Sequence, residues 1–358
     1  MNNYIKTAEN LTESVSKNGI KSHLHLPCEI SSLAQHPELR VIITILRKRA
    51  FSLEVTVGRK VSTPFRFLAA VFIQYRNIIK SDMIHLIISR TGHLPSDLYF
   101  PVLLSRILGK KVVVQITEQS LNFIPSFLRK IALKVLVFAN AVIVATESLR
   151  TTLSENNVSS EIIYPFVDST SKSERTPTEI TPKILAINDN ISSKSYIPIL
   201  KLFKYIKEKY PRAELTLSGC EEKLIELQMY AIENHILSVA FEKSNVKETV
   251  KKQIEDNEII INLSNEKSFP LFLLEAMSQG NIVISEKTKI SEEFIEHGAT
   301  GFLFDENNYT ELSEILYQLI ESTNLVSNIF SNRKQFEEKF SKTAFIDRWE
   351  KIFSRLAL

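Results

Sequence analysis

Apolar and polar residues along this chain fall into blocks of two kinds. Short apolar runs rich in β-branched residues, at 41–46, 83–88, 111–116 and 141–145, predict buried parallel strands. Between them, apolar residues recur at helical spacing over 64–79, 97–108 and 126–138, the second of these closed by Gly109. Strands and helices of these lengths, taken in turn, specify a parallel α/β sheet. Residues 1–40 show no comparable pattern.

The first series ends with Ile162-Ile-Tyr-Pro-Phe-Val-Asp168, and residues 169–182, rich in Ser, Thr, Glu and Pro, read as an exposed linker. A second series follows, with strands at 183–187, 213–218, 258–263 and 282–285. Helices are expected at 197–210, 221–234, 246–256, 292–296 and 310–322, with a long terminal helix ending at 344–356. No internal sequence repeat is evident, but two similar α/β halves suggest two Rossmann-like domains facing a cleft.

The most informative stretch runs from Asn262 to Gly280. Ile259, Ile260 and Ile261 predict a buried strand, a polar turn follows, and Leu271, Leu274 and Met277 then repeat at helical spacing up to Gly280. Ser268 is a good N-cap, and Pro270 suits a first helical turn, where its missing N–H costs nothing. Such a helix start aims free N–H groups and a positive dipole at whatever lies above it, which makes an anion site. With Glu275 just inside the helix, the arrangement suits a nucleotide sugar. The N–H groups would take the pyrophosphate, and the carboxylate would accept from ribose hydroxyls. A helix that merely caps a core strand gives the same pattern.

Composition narrows the setting. The 358 residues, 44% apolar and 24% charged, are those of a soluble globular protein with two domains. The net charge of +3 conceals an asymmetry: residues 1–168 carry 20 Lys and Arg against 12 Asp and Glu, and the remainder 24 against 29. A basic N-terminal half points to an acidic partner, and Arg47-Lys48-Arg49, Arg59-Lys60, Arg66 and Arg76 share residues 40–80 with the single acid Glu54. Phe123, Ile124, Phe127 and Leu128 precede Arg129, Lys130 and Lys134, a mixture that suits a surface helix on anionic lipid as well as a solvated face over a core helix. No nucleic-acid motif accompanies the charge. Cys28 and Cys220 make no disulfide framework, and His23, His25 and Cys28 lack the second pair a zinc site needs. With no apolar leader and no run long enough to span a bilayer, the expected location is cytoplasmic, peripheral at the inner face of the cell membrane.

From about Lys183 to Phe304 the chain resembles the retaining GT-B glycosyltransferases of family GT4. The resemblance rests on Ile184-Leu-Ala-Ile-Asn188-Asp189 with Lys194-Ser195, on Tyr210-Pro-Arg-Ala-Glu-Leu-Thr-Leu-Ser-Gly219, and on Phe269-Pro-Leu-Phe-Leu-Leu-Glu275-Ala-Met-Ser-Gln-Gly280. His297-Gly-Ala-Thr-Gly301-Phe-Leu-Phe is similar to the turn and strand that follow in the family, and Tyr164-Pro-Phe-Val-Asp168 to its domain junction. The first 160 residues match only in general layout.

The resemblance implies a GT-B fold: an acceptor-binding domain over 1–168, the linker 169–182, a nucleotide-sugar domain over 183–335, and a terminal helix, 336–358, crossing back to the first domain. It implies retaining transfer of a hexose from a UDP- or GDP-linked donor to a saccharide or lipid-linked acceptor, as in bacterial surface polysaccharide or glycoconjugate synthesis. No cofactor and no obligatory metal are implied. Lys194 would neutralise the leaving pyrophosphate, and Asn188 and Asp189 would line the donor loop. Glu275 would hold the ribose, while Ser268, Phe269, Pro270 and Leu271 would offer backbone and shape to the sugar phosphate. Glu266 or Lys267 would face the transferred sugar.

The departures from the family are as specific as the matches. Lys267 stands where members carry a glutamate eight residues before Glu275, Asp189 where they carry an arginine, and Asn188 and Ser195 where they carry glycines. The N-terminal glycine-rich loop is not visible among eight glycines in all. The usual N-domain histidine is replaced by the turn Gln115–Glu118, which leaves His93 as the nearest substitute. Asp189 and Lys267 suit a salt bridge with its ends exchanged, or a site that has lost its donor. The rival reading is a non-catalytic GT-B homologue serving as a binding or chaperone subunit, and a GT-B epimerase or inverting transferase is a third.

Overall fold

The computed structural model describes residues 21–26, 52–57, 75–76, 78–88, 98–116, 126–167, 182–187, 193–219, 221–243, 247–263, 270–331 and 333–357. The chain divides into two units, unit 1 comprising Met1–Phe166 with Lys342–Leu358, and unit 2 comprising Val167–Ser341. Among the described residues each unit holds one six-stranded sheet, and every pairing is parallel.

Unit 1 begins with β1 (Lys21–Leu26), inside the stretch 1–40 that shows no clear pattern, and β2 (Ser52–Val57), which pairs with it. The expected strand at 41–46 lies outside the described residues, as does most of the expected helix at 64–79. Then follow β3 (Met83–Ile88), α1 (Phe100–Ile107), β4 (Lys111–Ile116), α2 (Ser126–Leu136), β5 (Ala141–Val144), α3 (Glu147–Ser154) and β6 (Glu161–Ile162). Strand order is β2-β1-β3-β4-β5-β6. Gly109 has φ 67°, the left-handed conformation its position after α1 requires. The short α3 was not foreseen, yet it carries a clear start signal: the Thr146 hydroxyl accepts from the Leu149 N–H at 3.1 Å.

One face of this sheet is aliphatic, with Ile84, Leu86, Ile88, Val112, Val114, Val142 and Val144 packed under Val102, Ala132 and Leu136. Period two puts His85 on the other face, where it meets α11, the helix Lys342–Ala357. The His85 ring lies 4.9 Å from Trp349 and 6.2 Å from Phe353, and the Trp349 and Phe353 rings stack at 5.2 Å. Arg348 sits over the Tyr164 ring, Phe345 packs on Phe166, and Arg355 pairs with Glu161, so α11 is fixed along its length to unit 1.

Unit 2 runs β7 (Lys183–Ile187), α4 (Ser193–Lys209), β8 (Glu214–Gly219), α5 (Glu221–Glu233), β9 (Val239–Lys243), α6 (Lys247–Asp256), β10 (Ile259–Asn262), α7 (Leu271–Ser278), β11 (Ile282–Glu286), a 3-10 turn at Ser291–Glu293, β12 (Phe302–Phe304) and α8 (Tyr309–Glu321). Then come α9 (Thr323–Ser331) and α10 (Arg333–Phe340). The long terminal helix expected from the sequence is thus several helices, of which α10 belongs to unit 2 and α11 to unit 1. Strand order is β12-β11-β10-β7-β8-β9. Ile184, Ala186, Leu215, Leu217, Ile259, Ile261, Ile282 and Ile284 form one core with Leu200, Phe203, Leu227 and Leu312 from the helices. α4 opens at Ser193, four residues before the expected start, because Pro198 sits inside the helix instead of marking its boundary.

Candidate functional site

The carboxyl ends of the unit 2 strands are aligned. Asn262, the last residue of β10, is in register with Ile187 on one side and Ser285 on the other, and Ile187 with Ser218. Loops leaving neighbouring strand ends about 4.8 Å apart must share one rim, and such rims carry ligands in open parallel sheets. β7 and β10 both end there, at Ile187 and Asn262.

Polar side chains fix these ends to each other. The Asn262 amide donates to the Ser285 hydroxyl at 3.0 Å, and the Tyr196 hydroxyl, in the first turn of α4, donates to the Ser218 carbonyl at 2.7 Å. The Ser218 hydroxyl donates to Gln253 Oε1 at 2.7 Å, and Gln253 Nε2 to Glu242 at 2.8 Å. All but Glu242 are buried, so the rim is held by satisfied polar groups and is stiff.

α7 leaves this rim. Its cap is Pro270, at φ −82° and ψ 84°, without a side-chain hydrogen bond. The helix therefore starts two residues later than a cap at Ser268 would place it. Leu273, Leu274, Ala276 and Met277 are buried, whereas Leu271 is 43% exposed: the inward stripe begins at Leu273, and Leu271 stays on the rim. At the other end the chain turns at Gly280, φ 83°, with the Asn281 N–H donating to the Ala276 carbonyl at 3.0 Å. Within the first turn the Leu273 N–H donates to the Pro270 carbonyl at 3.0 Å, and the N-terminus of the helix points toward the strand-end rim. Glu275 is half-buried one turn further along and engaged by neighbours.

Of the residues expected to bind the donor, the structure thus brings together Pro270, Leu271 and Glu275 on α7. Lys194 stands in the first turn of α4, which follows the adjacent β7. Asn188, Asp189, Glu266, Lys267, Ser268, Phe269 and His93 lie outside the described residues.

The His297–Gly301 turn has a structural reason. Gly298 has φ 77°, and a Cβ on Gly301 would stand 2.8 Å from the Val283 carbonyl oxygen, so only glycine lets β12 approach β11. His297 is fixed by the Leu303 backbone, its Nδ1 being 3.2 Å from that N–H.

A residue the pattern did not reveal is Glu286. It closes β11, 4% exposed, with its pKa pushed from 4.5 to about 7 by burial, then by the charge of Glu306, and partly offset by the Asn307 N–H. The Tyr309 hydroxyl is raised by burial and by the same two acids. The signal was present, a glutamate ending the apolar run Ile-Val-Ile-Ser-Glu. His85 was likewise hidden in Met-Ile-His-Leu-Ile-Ile. Burial lowers its pKa from 6.5 to about 3, with the nearby Gln115 amide acting the other way. Neither ring nitrogen has a well-formed hydrogen bond, nor does Trp349 Nε1.

A groove of about 720 Å³ between the 3-10 turn, β12 and α10 is lined by Lys287, Glu292, Glu296, His297, Asp305 and Lys339 among others, and contains none of the expected donor residues. Among the described residues no cluster of three His, Cys, Asp or Glu is placed to hold a metal, and no helix is long and apolar enough to cross a membrane.

Residues 169–337 match the family model of the glycosyl transferases group 1. An uncharacterized glycosyltransferase of Haemophilus influenzae is 24% identical over 172 residues, 47% of this chain and 48% of that protein. The poly(ribitol-phosphate) alpha-N-acetylglucosaminyltransferase of Staphylococcus aureus is 25% identical over 108 residues, 30% of this chain and 22% of the relative. The chain thus matches less than half the length of either curated relative. Among solved structures, Anabaena Alr3699/HepE in complex with UDP and glucose aligns over 94% of this chain and 100% of its own, with a TM-score of 0.66 and 17% identity. At that identity the likeness shows the fold, two Rossmann-like domains of the GT-B kind.

Proposed function

Because residues 169–337 belong to the glycosyl transferases group 1 and the chain has the GT-B fold, we propose that it moves a hexose, with retention, from a nucleoside-diphosphate sugar to a saccharide or lipid-linked acceptor. The observation that carries this reading is the aligned rim of β7, β10 and β11, from which both α4 with Lys194 and α7 with Glu275 depart. A UDP- or GDP-linked sugar suits it: the first-turn N–H groups of α7 and the Lys194 ammonium take the pyrophosphate, and Glu275 accepts from the ribose diol. Stabilising the leaving diphosphate this way needs no metal. Pro270 and Leu271, with Ser268 and Phe269 before them, shape the sugar-phosphate pocket, Asn188 and Asp189 line it, and Glu266, Lys267 and His93 serve the transferred sugar. Unit 1 takes the acceptor, and its basic charge places it at an anionic membrane surface. Synthesis of a surface polysaccharide or glycoconjugate is consistent with the staphylococcal relative, named for poly(ribitol-phosphate), and a UDP donor with the Anabaena complex.

Asp189 and Lys267, charge-reversed against the family pattern, favour a second reading, a homologue that binds but does not transfer. Thermal unfolding with a panel of nucleoside diphosphates, together with an assay for nucleotide-sugar hydrolysis, separates the two. Stabilisation with hydrolysis supports the transferase, stabilisation alone the binding subunit, and the absence of both removes donor binding altogether. Lys267→Glu, alone and combined with Asp189→Arg, tests whether the two charges form a pair. A double variant no better than the single one excludes it.

A further inference from the structure

In unit 2, β9 closes one end of the sheet, and α5 packs beside it on β8 and β9. The Leu215 N–H of β8 donates to the Ser238 carbonyl at 3.1 Å. Strand groups alternate sides, so the N–H and C=O of Val239 and Phe241 point to the open side of β9. Among the described residues no strand pairs with that side. Beside this edge runs a stripe unlike that of a solvated helix. Ile225 is 55% exposed, Met229 59% and Ile232 68%, at helical spacing along α5, and Leu237, in the turn into β9, is 72% exposed. The other side of α5 is ordinary contact: Tyr230 packs on the core, and the Lys204 ammonium of α4 donates to the Asn234 carbonyl at 3.0 Å. At about 3.6 residues per turn, Ile225 and Ile232 lie opposite Tyr230 and Asn234, so the stripe faces away from α4 and toward the free edge.

The occupant that fits both parts is a second copy of the chain. An open strand edge is complementary to itself under a two-fold axis, because antiparallel pairing returns the same N–H and C=O groups to each other. With the axis at Phe241, that residue pairs with its own counterpart, Val239 lies opposite Lys243 and Ala240 opposite Glu242, so no charge meets its like. The same axis, normal to the sheet, sets α5 beside its counterpart and buries the two stripes on each other. The exposed acids Glu222, Glu226 and Glu233 fall between the stripe and α4 on the outer side of the helix, where they stay in water. A strand from another protein would cover β9 and leave the stripe bare. An anionic bilayer or a nucleic acid would meet those three carboxylates.

We infer that the open edge of β9 and the α5 stripe of Ile225, Met229 and Ile232, with Leu237, form the interface of a symmetric dimer in which two unit 2 sheets join into one. The interface uses none of the residues assigned to the donor, and it stands whether or not the chain transfers sugar.

The test is the mass of the full chain in solution, by sedimentation velocity over a range of concentrations. The wild-type chain should sediment at twice its 41.0 kDa. Ile232→Glu with Leu237→Glu sets like charges across the interface and should raise the dissociation constant at least about a hundredfold. Ile225→Glu with Met229→Glu should do the same. All four side chains are exposed, so the far-ultraviolet circular dichroism of both variants should match wild type. Apolar positions of similar exposure elsewhere are the controls: Tyr205→Glu on α4 and Ile107→Glu on α1, 63% and 81% exposed, should leave the dimer intact. Phe241→Cys, combined with Cys28→Ser and Cys220→Ser, should cross-link to its counterpart on oxidation, and Val239→Cys in the same background should not. The interface is overturned if the wild-type chain is a monomer at every concentration, if both stripe variants dimerise like wild type, if either control dissolves the dimer, or if Phe241→Cys fails to cross-link. Stabilisation by nucleotides, measured on the same samples, reports on the transferase reading separately. That reading stands if only dimerisation fails.

Discussion

The two units solve the same folding problem, a six-stranded parallel sheet covered by helices, yet each buries one titratable side chain with the opposite electrostatic consequence. In unit 1 the buried group is His85, pressed against Trp349 and kept neutral because burial penalises a charged imidazole. In unit 2 it is Glu286, kept protonated by burial and by Glu306. Folding of unit 1 favours an imidazole whose pKa falls from 6.5 to about 3, so its stability is complete above pH 6.5 and is lost as the pH falls toward 3. Folding of unit 2 favours a carboxylic acid whose pKa rises from 4.5 to about 7, so that contribution is complete below pH 4.5 and is lost as the pH rises through 7. Acid should loosen the half that carries α11, and mild base the half that carries the polar rim.

The largest effect on this contrast should come from Trp349→Ala. The indole is fully buried among Phe345, Phe353 and His85, and its loss should cost unit 1 about 3–5 kcal/mol. Denaturant unfolding should then show the unit 1 transition moving to lower denaturant while that of unit 2 stays in place.

Glu286→Gln removes the penalty for ionising a buried acid. At pH 8 it should stabilise unit 2 by up to about 3 kcal/mol, and at pH 4.5 hardly at all. Unfolding midpoints at the two pH values measure the difference. Equal effects at both would show that the carboxyl is not buried as an acid.

His85→Phe should act at the other end of the scale. At pH 5 the wild-type unit 1 forfeits about 2 kcal/mol relative to pH 7.5, and the phenylalanine variant should not. A circular-dichroism melt at both pH values checks it. A variant with the same acid sensitivity as wild type would place the titrating group elsewhere.

How much of this was readable in the chain depends on what each residue answers to. Runs such as Ile259–Ile261 and 111–116 answer to burial alone, and they became strands where the pattern put them. The glycine after α7 also did what its position demanded. The start of α7 was displaced because the cap position falls on Pro270 and the helix opens only at Leu271. β1 and β2 went unread: His23 and His25 interrupt the first, and Glu54 and Thr56 the second, so neither shows an unbroken apolar run. His85 and Glu286 were hidden for the opposite reason, as single polar residues inside or ending apolar runs whose burial overrides their individual cost. The helix that leaves the polar rim was legible as a motif before it was a geometry, since Glu275 and the residues around it resemble a family pattern. The stripe of α5 was not, because exposure is a property of the packed unit and Ile225 and Ile232 look like core residues in the sequence.

A smaller effect bears on the polar rim itself. Glu275→Gln keeps the size of the side chain and removes its charge, and it should weaken nucleotide affinity about tenfold, roughly 1.4 kcal/mol, with unfolding in the absence of nucleotide nearly unchanged.

The central claim, that unit 2 holds a nucleoside diphosphate on the rim of β7, β10 and β11, is tested most directly by the unfolding midpoint of the full chain with and without UDP or GDP at saturating concentration. The account predicts that one of them raises the unit 2 transition by several degrees, and that the rise shrinks in Glu275→Gln and in Lys194→Ala. No rise with either nucleotide, or a rise that both variants retain in full, would contradict it.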